Sequence, residues 1–175
     1  MILHYLNHPG SAGSNAVGET MFRHFRDFPH PIDANVLPRA ALSLKHLTCK
    51  GRNFSVSTMH PGNAAISFID HEGFQAFGVI MAIWKITLTT DRDVRPFLEI
   101  SPFQSLSERD RAHNPYLLWP GFQCTVVYSE LSANHIVIEP GAIITHIAYY
   151  NRPPGTFGIS KATTVVTESL SRNRT

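Results

Sequence analysis

From Phe54 onward, short runs of β-branched, aromatic and other apolar residues alternate with clusters of turn formers. Such runs mark strands, whereas apolar positions recurring every three or four residues mark helices. Strands are predicted at residues 54–57, 65–69, 77–90, 97–101, 122–129, 136–139, 143–150 and 163–167. The breaks between them, such as Pro61-Gly62-Asn63, Asp70-His71-Glu72-Gly73, Glu139-Pro140-Gly141 and Arg152-Pro153-Pro154-Gly155, carry turn chemistry. The run from Phe77 to Thr90 is longer than an ordinary strand. Ile86 and Leu88 alternate there with Lys85, Thr87 and Thr89, while the first half is apolar on both faces. That pattern suits a strongly bent strand in a small barrel, with Gly78 placed to absorb the bend.

Helical spacing is scarce. Val17, Met21, Phe25 and Phe28 recur at steps of four, four and three, with Arg23, His24 and Arg26 on the other face. This predicts an amphipathic helix that docks on the domain or meets a partner surface, capped by Ser14 or Asn15. Pro29 and Pro31 end it, and with Pro38 they make a stiff extended connector. Ala40 to Lys45 and Ser107 to His113, the latter opening on a capping serine, are the other helical candidates. So many strands with so little helix between them argue against a doubly wound parallel sheet. The expected fold class is mostly β, a small antiparallel barrel or sandwich with a short N-terminal helix. The expected organisation is an N-terminal extension at 1–35, a β-barrel-like module at 36–170 and a basic tail at 171–175.

The chain's 175 residues are enough for one domain with a full core. Its charged fraction, 16 %, lies below the roughly 25 % of average chains, so a compact, rather apolar protein is expected. The net charge of +2 names no partner. Cys49 and Cys124 form neither a disulfide framework nor a CxxC pair, which favours a reduced, intracellular setting. No membrane association is expected, because the first residues lack a basic n-region and the apolar stretch Phe77 to Trp84 is far shorter than the ~18 residues of a span.

The ten histidines invite a metal or acid–base reading, but no pair has HExxH or HxH form. His46 and Cys49, three apart on a strand, project to opposite faces. No metal, cofactor or catalytic residue is therefore expected, and no Gly-x-Ser-x-Gly elbow, Walker loop or dinucleotide glycine pattern occurs. A rival reading is a small hydrolase or nuclease, which requires His46, His60 or His146 to converge with Asp70 or Glu72. Asp70 and Glu72 otherwise read as a solvated hairpin tip, and His146 as a satisfied core histidine. Arg39, Lys45, Lys50 and Arg52 fall in a window, Val36 to His60, without Asp or Glu, which makes them the candidate nucleic-acid contacts. The same charges also suit an ordinary solvated strand face. Tyr116 and Trp119 lie in the Pro-rich connection Pro115–Pro120, with Phe122 just after it, and the three read either as a lid over the core or as a partner groove. Exposed strand edges and low charge keep a self-associating structural protein, a homo-oligomer, as a third reading.

A longer pattern is present as well. Val36-Leu37-Pro38, Lys50 to Ser55, His60 to Phe68 and Phe77 to Ile83 are followed by Pro102 to Ser107, His113 to Tyr116, Val127 to Leu131, Val137 to Pro140 and Ile143 to Ala148. In this order they resemble an accessory module of proteins encoded by transposable elements of mushroom-forming fungi, over about residues 36–170. In that family the module usually follows a much larger transposase-like region, so this chain resembles the accessory module alone. The resemblance implies a nuclear, DNA-associated context and carries over no catalytic residue. The expected function is a non-catalytic binding module in a transposon or chromatin setting, contacting nucleic acid or a chromatin-associated protein.

Overall fold

A computed structural model describes residues 41–87 and 94–168. The expected N-terminal helix and proline connector, Arg39, the end of the long run at 88–90 and the basic tail lie outside the described residues. The strands are β1 (Leu42–Leu44), β2 (His46–Cys49), β3 (Arg52–Ser55), β4 (Ala65–Ile69), β5 (Gln75–Thr87), β6 (Val94–Ser105), β7 (Cys124–Leu131), β8 (Ile136–Ile138), β9 (Ile143–Arg152) and β10 (Thr163–Glu168). Two one-turn helices, α1 (Pro61–Ala64) and α2 (Glu108–Arg111), interrupt them. Each run read as a strand overlaps one of these.

The fold is mostly β, and the pairings among the described residues are all antiparallel. One large sheet runs β1-β5-β4-β9-β10-β7-β6-β8, with β6 also paired to β5, while β2 and β3 form a separate hairpin. The sheet curls but is not the regular closed barrel the alternation pattern suggests. The β6–β7 ladder consists of Phe103↔Leu131 and Ser105↔Val127, with a shift of register between them. Two irregularities mark the long β5. The β5–β6 register shifts between Ile80 and Ala82, leaving Met81 as an extra residue of the kind that sharpens local twist. At Gly78 the strands approach so closely that a Cβ would stand 2.7 Å from Ile100 Cγ2. Gly78 thus serves a close approach rather than an unusual φ.

Period-two alternation divides the core. On β4, Ile66 and Phe68 join Ile80, Ile83, Leu98 and Ile100 in the main cluster. Ala65 instead packs with Val127, Ile147 and Val166, against Phe77 and Phe103, so this second cluster takes one residue from each of β4, β5, β6, β7, β9 and β10. A third, Leu106, Val126, Tyr128 and Ile159, lies on the opposite face of β7. Full burial of a side chain such as Phe68 or Ile100 contributes roughly 1.5–3 kcal/mol, which is why strands with apolar residues on both faces settle inside.

Two local expectations are corrected. Ala40 to Lys45 is not helical over its described residues: Leu42–Leu44 pairs with Ile83–Lys85 of β5, because an edge ladder outweighs weak helix preference in so short a segment. Pro61-Gly62-Asn63 is not a turn but the body of α1, with proline in its first turn and the His60 Nδ1 accepting a hydrogen bond from the Asn63 amide at 3.2 Å. Asp70-His71-Glu72-Gly73 does form a turn, with Gly73 at φ +85°. Ser107 caps α2, its hydroxyl accepting from the Asp110 amide at 3.2 Å.

Candidate functional site

The β5–β6 ladder ends where Gly78 faces Pro102, a residue with no amide hydrogen to extend it. Beyond that point the strands part. Gln75, Ala76 and Phe77 keep β4 as a partner on one side, through Ile69, Phe68 and Ser67, and have no second strand among the described residues. The end of β6 goes to β7 instead. An open cleft of about 610 Å³ lies between them, a volume within the usual range for ligand pockets. Its apolar lining includes Phe74, Phe77, Phe103, Leu106, Leu117 and Val127, and its polar lining Asp70, Gln75, Ser105, Arg111, Asn114 and Thr125.

Both walls are held by hydrogen bonds. On one side, Asp70 Oδ1 accepts from the amides of Glu72 (2.9 Å) and Phe74 (2.8 Å), fixing the turn that presents Phe74. Gln75 Nε2 donates to Ser67 Oγ at 2.9 Å and Glu168 Oε1 at 2.6 Å, tying β5 to β4 and β10. On the other side, the buried Tyr128 hydroxyl donates to Asp110 Oδ2 at 2.6 Å and accepts from the Ser107 amide at 3.2 Å, anchoring α2. The Asn114 side chain then caps the next 3-10 turn, Pro115–Leu118, accepting from the Tyr116 amide at 3.0 Å.

This anchoring divides the aromatic group expected from the sequence. Tyr116 is half-buried and meets Phe157 edge-on, ring centroids 6.4 Å apart, so it fastens the loop. Trp119 and Phe122, edge-on to each other at 6.4 Å, stay 62 % and 65 % exposed. Leu117 and Leu118 beside them are 57 % and 80 % exposed. The cleft residues Gln75, Phe103, Arg111 and Asn114 were not singled out by sequence reasoning, since each looks ordinary until two strands diverge.

The described basic residues lie on and beside the β2–β3 hairpin, whose turn residues Lys50 and Gly51 both have positive φ, at +50° and +73°. Lys50 Nζ donates to the carbonyls of Gly141 (3.2 Å) and Ile143 (3.4 Å). Arg52 Nη1 donates to Thr145 Oγ1 at 2.7 Å and the Ile144 carbonyl at 3.4 Å. Two of the candidate nucleic-acid contacts thus latch the hairpin to β9, above a small pocket of about 160 Å³ lined by Cys49, Phe54 and Pro140. Lys45 has no polar side-chain partner among the described residues.

His146 stacks on Phe54 with centroids 4.4 Å apart, and its Nε2 lies 3.1 Å from the Asn53 carbonyl oxygen. Burial lowers its pKa, with a smaller push the same way from Arg52 and opposition from backbone hydrogen bonds at Asn53 and Asn63. His60 is occupied as a cap, and His46 sits opposite Ser55 in the hairpin. The large cleft has Asp70 in its lining and no histidine, and the small pocket has neither a histidine nor a carboxylate. Among the described residues no three His, Cys, Asp or Glu side chains are placed to share a metal. No described helix is long and apolar enough to cross a membrane.

Fold and site together define a mostly β protein, built on a curled antiparallel sheet, with a large open cleft beside an apolar loop. Comparison with protein-family models, curated proteins and solved structures gave no match.

Proposed function

We propose that this protein is a non-catalytic binding module whose cleft and apolar loop receive a segment of a protein partner, a chromatin-associated one in the mobile-element setting that its sequence resembles. The observation that carries this reading is the group Leu117, Leu118, Trp119 and Phe122, exposed on a loop fixed by Tyr116 and Asn114 at the cleft's edge. Large apolar side chains held rigidly beside a concavity are typical protein-docking surfaces. The free side of Gln75–Phe77 suits an extended segment that adds main-chain hydrogen bonds. A protein partner is favoured over nucleic acid because Lys50 and Arg52 already hold backbone oxygens of β9, those of Ile143 and Ile144.

The test is fluorescence anisotropy with labelled histone-tail peptides, and in parallel with labelled duplex DNA and single-stranded RNA, at low and moderate salt with and without magnesium. Peptide binding weakened at least tenfold by Trp119→Ala with Phe122→Ala, and unchanged by Lys45→Met, supports the reading. Salt-dependent nucleic-acid binding lost on neutralising Lys45, Lys50 and Arg52, without peptide binding, overturns it in favour of a nucleic-acid module. Metal-dependent cleavage of the probes overturns its non-catalytic part.

A further inference from the structure

We propose that the free edge of β9 from Ala148 to Arg152 pairs with the same edge of a second copy of this chain, making a two-fold dimer in which the sheet runs on from one protomer into the other. None of these five residues lines the cleft, so the dimer does not depend on what the cleft receives.

β9 outruns β4. Its ladder with β4 ends at His146 opposite Ile66, whereas its ladder with β10 continues from Ile147 to Arg152 without a shift of register. Beyond His146 the other side of β9 has no strand among the described residues, and Ala148 to Arg152 make no main-chain hydrogen bond there with any of them. All five residues are exposed. A row of unpaired amides and carbonyls is a template for another strand. The devices that blunt such edges are missing, because the stretch has no proline, lysine, carboxylate or bulge, and its one charge, Arg152, stands at the end.

The edge is held ready for pairing. Thr164 Oγ1 donates to Asn151 Oδ1 at 2.8 Å and lies 2.8 Å from Ser129 Oγ, which ties the outer part of β9 across β10 to β7. Tyr149 meets Phe103 with ring centroids 6.0 Å apart, and the Arg152 guanidinium lies 4.6 Å from the centre of the Tyr150 ring. Side chains already placed lose little freedom on association.

The edge also suits itself. Two identical edges related by a two-fold axis are antiparallel of necessity, as are all the strand pairs among the described residues. Full overlap of the five residues puts the axis at Tyr150, so that Tyr150 faces Tyr150 of the second copy and Ala148 faces Arg152. Tyrosines directly opposite make a cross-strand aromatic pair. A small side chain meets the large cation, and the two arginines stand four positions apart, roughly 13 Å at about 3.3 Å per residue, where 0.1 M salt screens them. Tyr149 and Tyr150, 40 % and 63 % exposed, together offer about one whole tyrosine surface per copy, on the order of 200 Å². That falls short of the roughly 1,200 Å² of stable interfaces, so the dimer is weak and forms as concentration rises.

The test is sedimentation velocity on the full chain from ~10 µM to ~1 mM, the range in which an interface this small associates, with wild type, Tyr150→Lys, Tyr150→Glu and an equimolar mixture of the two variants. Wild type is expected to pass from monomer to dimer across the range. Each variant alone should associate at least tenfold more weakly, because like charges meet at the axis, and the mixture should recover the dimer as opposite charges meet there. Amide exchange on wild type should slow at 148–152 as the protein is concentrated, with β4 unchanged, and this measurement decides the matter even where a variant fails to fold. A wild type that stays monomeric at ~1 mM overturns the proposal, whether the 148–152 amides exchange freely or are protected at every concentration by another part of the chain. So does a mixture no more dimeric than its parts. A dimer that Tyr150→Lys leaves intact, or that Trp119→Ala with Phe122→Ala abolishes, overturns it as well, because the contact then lies elsewhere.

Discussion

Gly78 faces Pro102 across the β5–β6 ladder, and a Cβ at Gly78 would lie 2.7 Å from Ile100 Cγ2 and 2.8 Å from the Ser101 carbonyl oxygen. Those distances are shorter than any real Cβ contact, and the nearby carbonyl is backbone that cannot swing aside. Gly78→Ala is therefore expected to destabilise the protein by about 1–3 kcal/mol. Gly62→Ala, where the nearest atom is the His60 Cε1 at 3.4 Å, serves as the control and stays within ~0.5 kcal/mol. Urea unfolding midpoints measure both. Equal midpoints would show that the close approach is not required.

Tyr128→Phe removes a hydroxyl that serves Asp110 and the Ser107 amide together. The expected loss is about 1–3 kcal/mol, because the Ser107 amide and the Asp110 carboxylate both lose a partner. Since α2 leads directly to the turn at Pro115–Leu118, amide exchange from 107 to 118 should speed up more than in β4. A uniform acceleration across both regions would refute the anchoring role.

Arg52→Met should lower stability by about 0.5–1.5 kcal/mol, through the lost hydrogen bonds to Thr145 and Ile144. Lys45→Met should change it by less than ~0.5 kcal/mol. Thermal unfolding compares them, and identical behaviour would mean that Arg52 does not hold β9. The distinction matters for any binding assay, because a charge change that loosens the hairpin mimics the loss of a contact.

His146 sets a pH dependence whose sign follows from its lowered pKa. In the unfolded chain the imidazole gains its proton near 6.5, while in the folded protein it resists to lower pH. Between those values the unfolded state binds more protons, so this contribution to stability is complete above about pH 6.5 and is lost as pH falls through the folded value. His146→Phe retains an aromatic ring against Phe54 without titrating. The measurement is the urea midpoint at pH 7 and pH 5, and the drop between them should be smaller in the variant. The two proteins differ at this one residue, so every other contribution to the drop is common to both and cancels in the comparison. An equal drop would exclude His146 as a contributor.

What the amino-acid sequence determined by itself was local. Alternation and β-branched content placed β4 at residues 65–69, the Ser107 hydroxyl marked the start of α2, and Asp70 and Gly73 marked their turn, because each depends on neighbours a few residues away. Tertiary structure decided the rest. Leu42–Leu44 became a strand only by pairing with β5, the sheet closed irregularly where β6 and β7 pair at two positions with a shift of register, and β5 and β6 part after Gly78 and Pro102. That parting created the cleft. Tyr116 and Trp119 are three apart in one loop, yet one is fastened by Phe157 and the other left to solvent. Lys50 and Arg52 read as free charges until β9, more than ninety residues later, supplied oxygens that they hold. Pairing across long separations depends on which backbone edges and side-chain faces the folded chain brings together, and no local pattern encodes that.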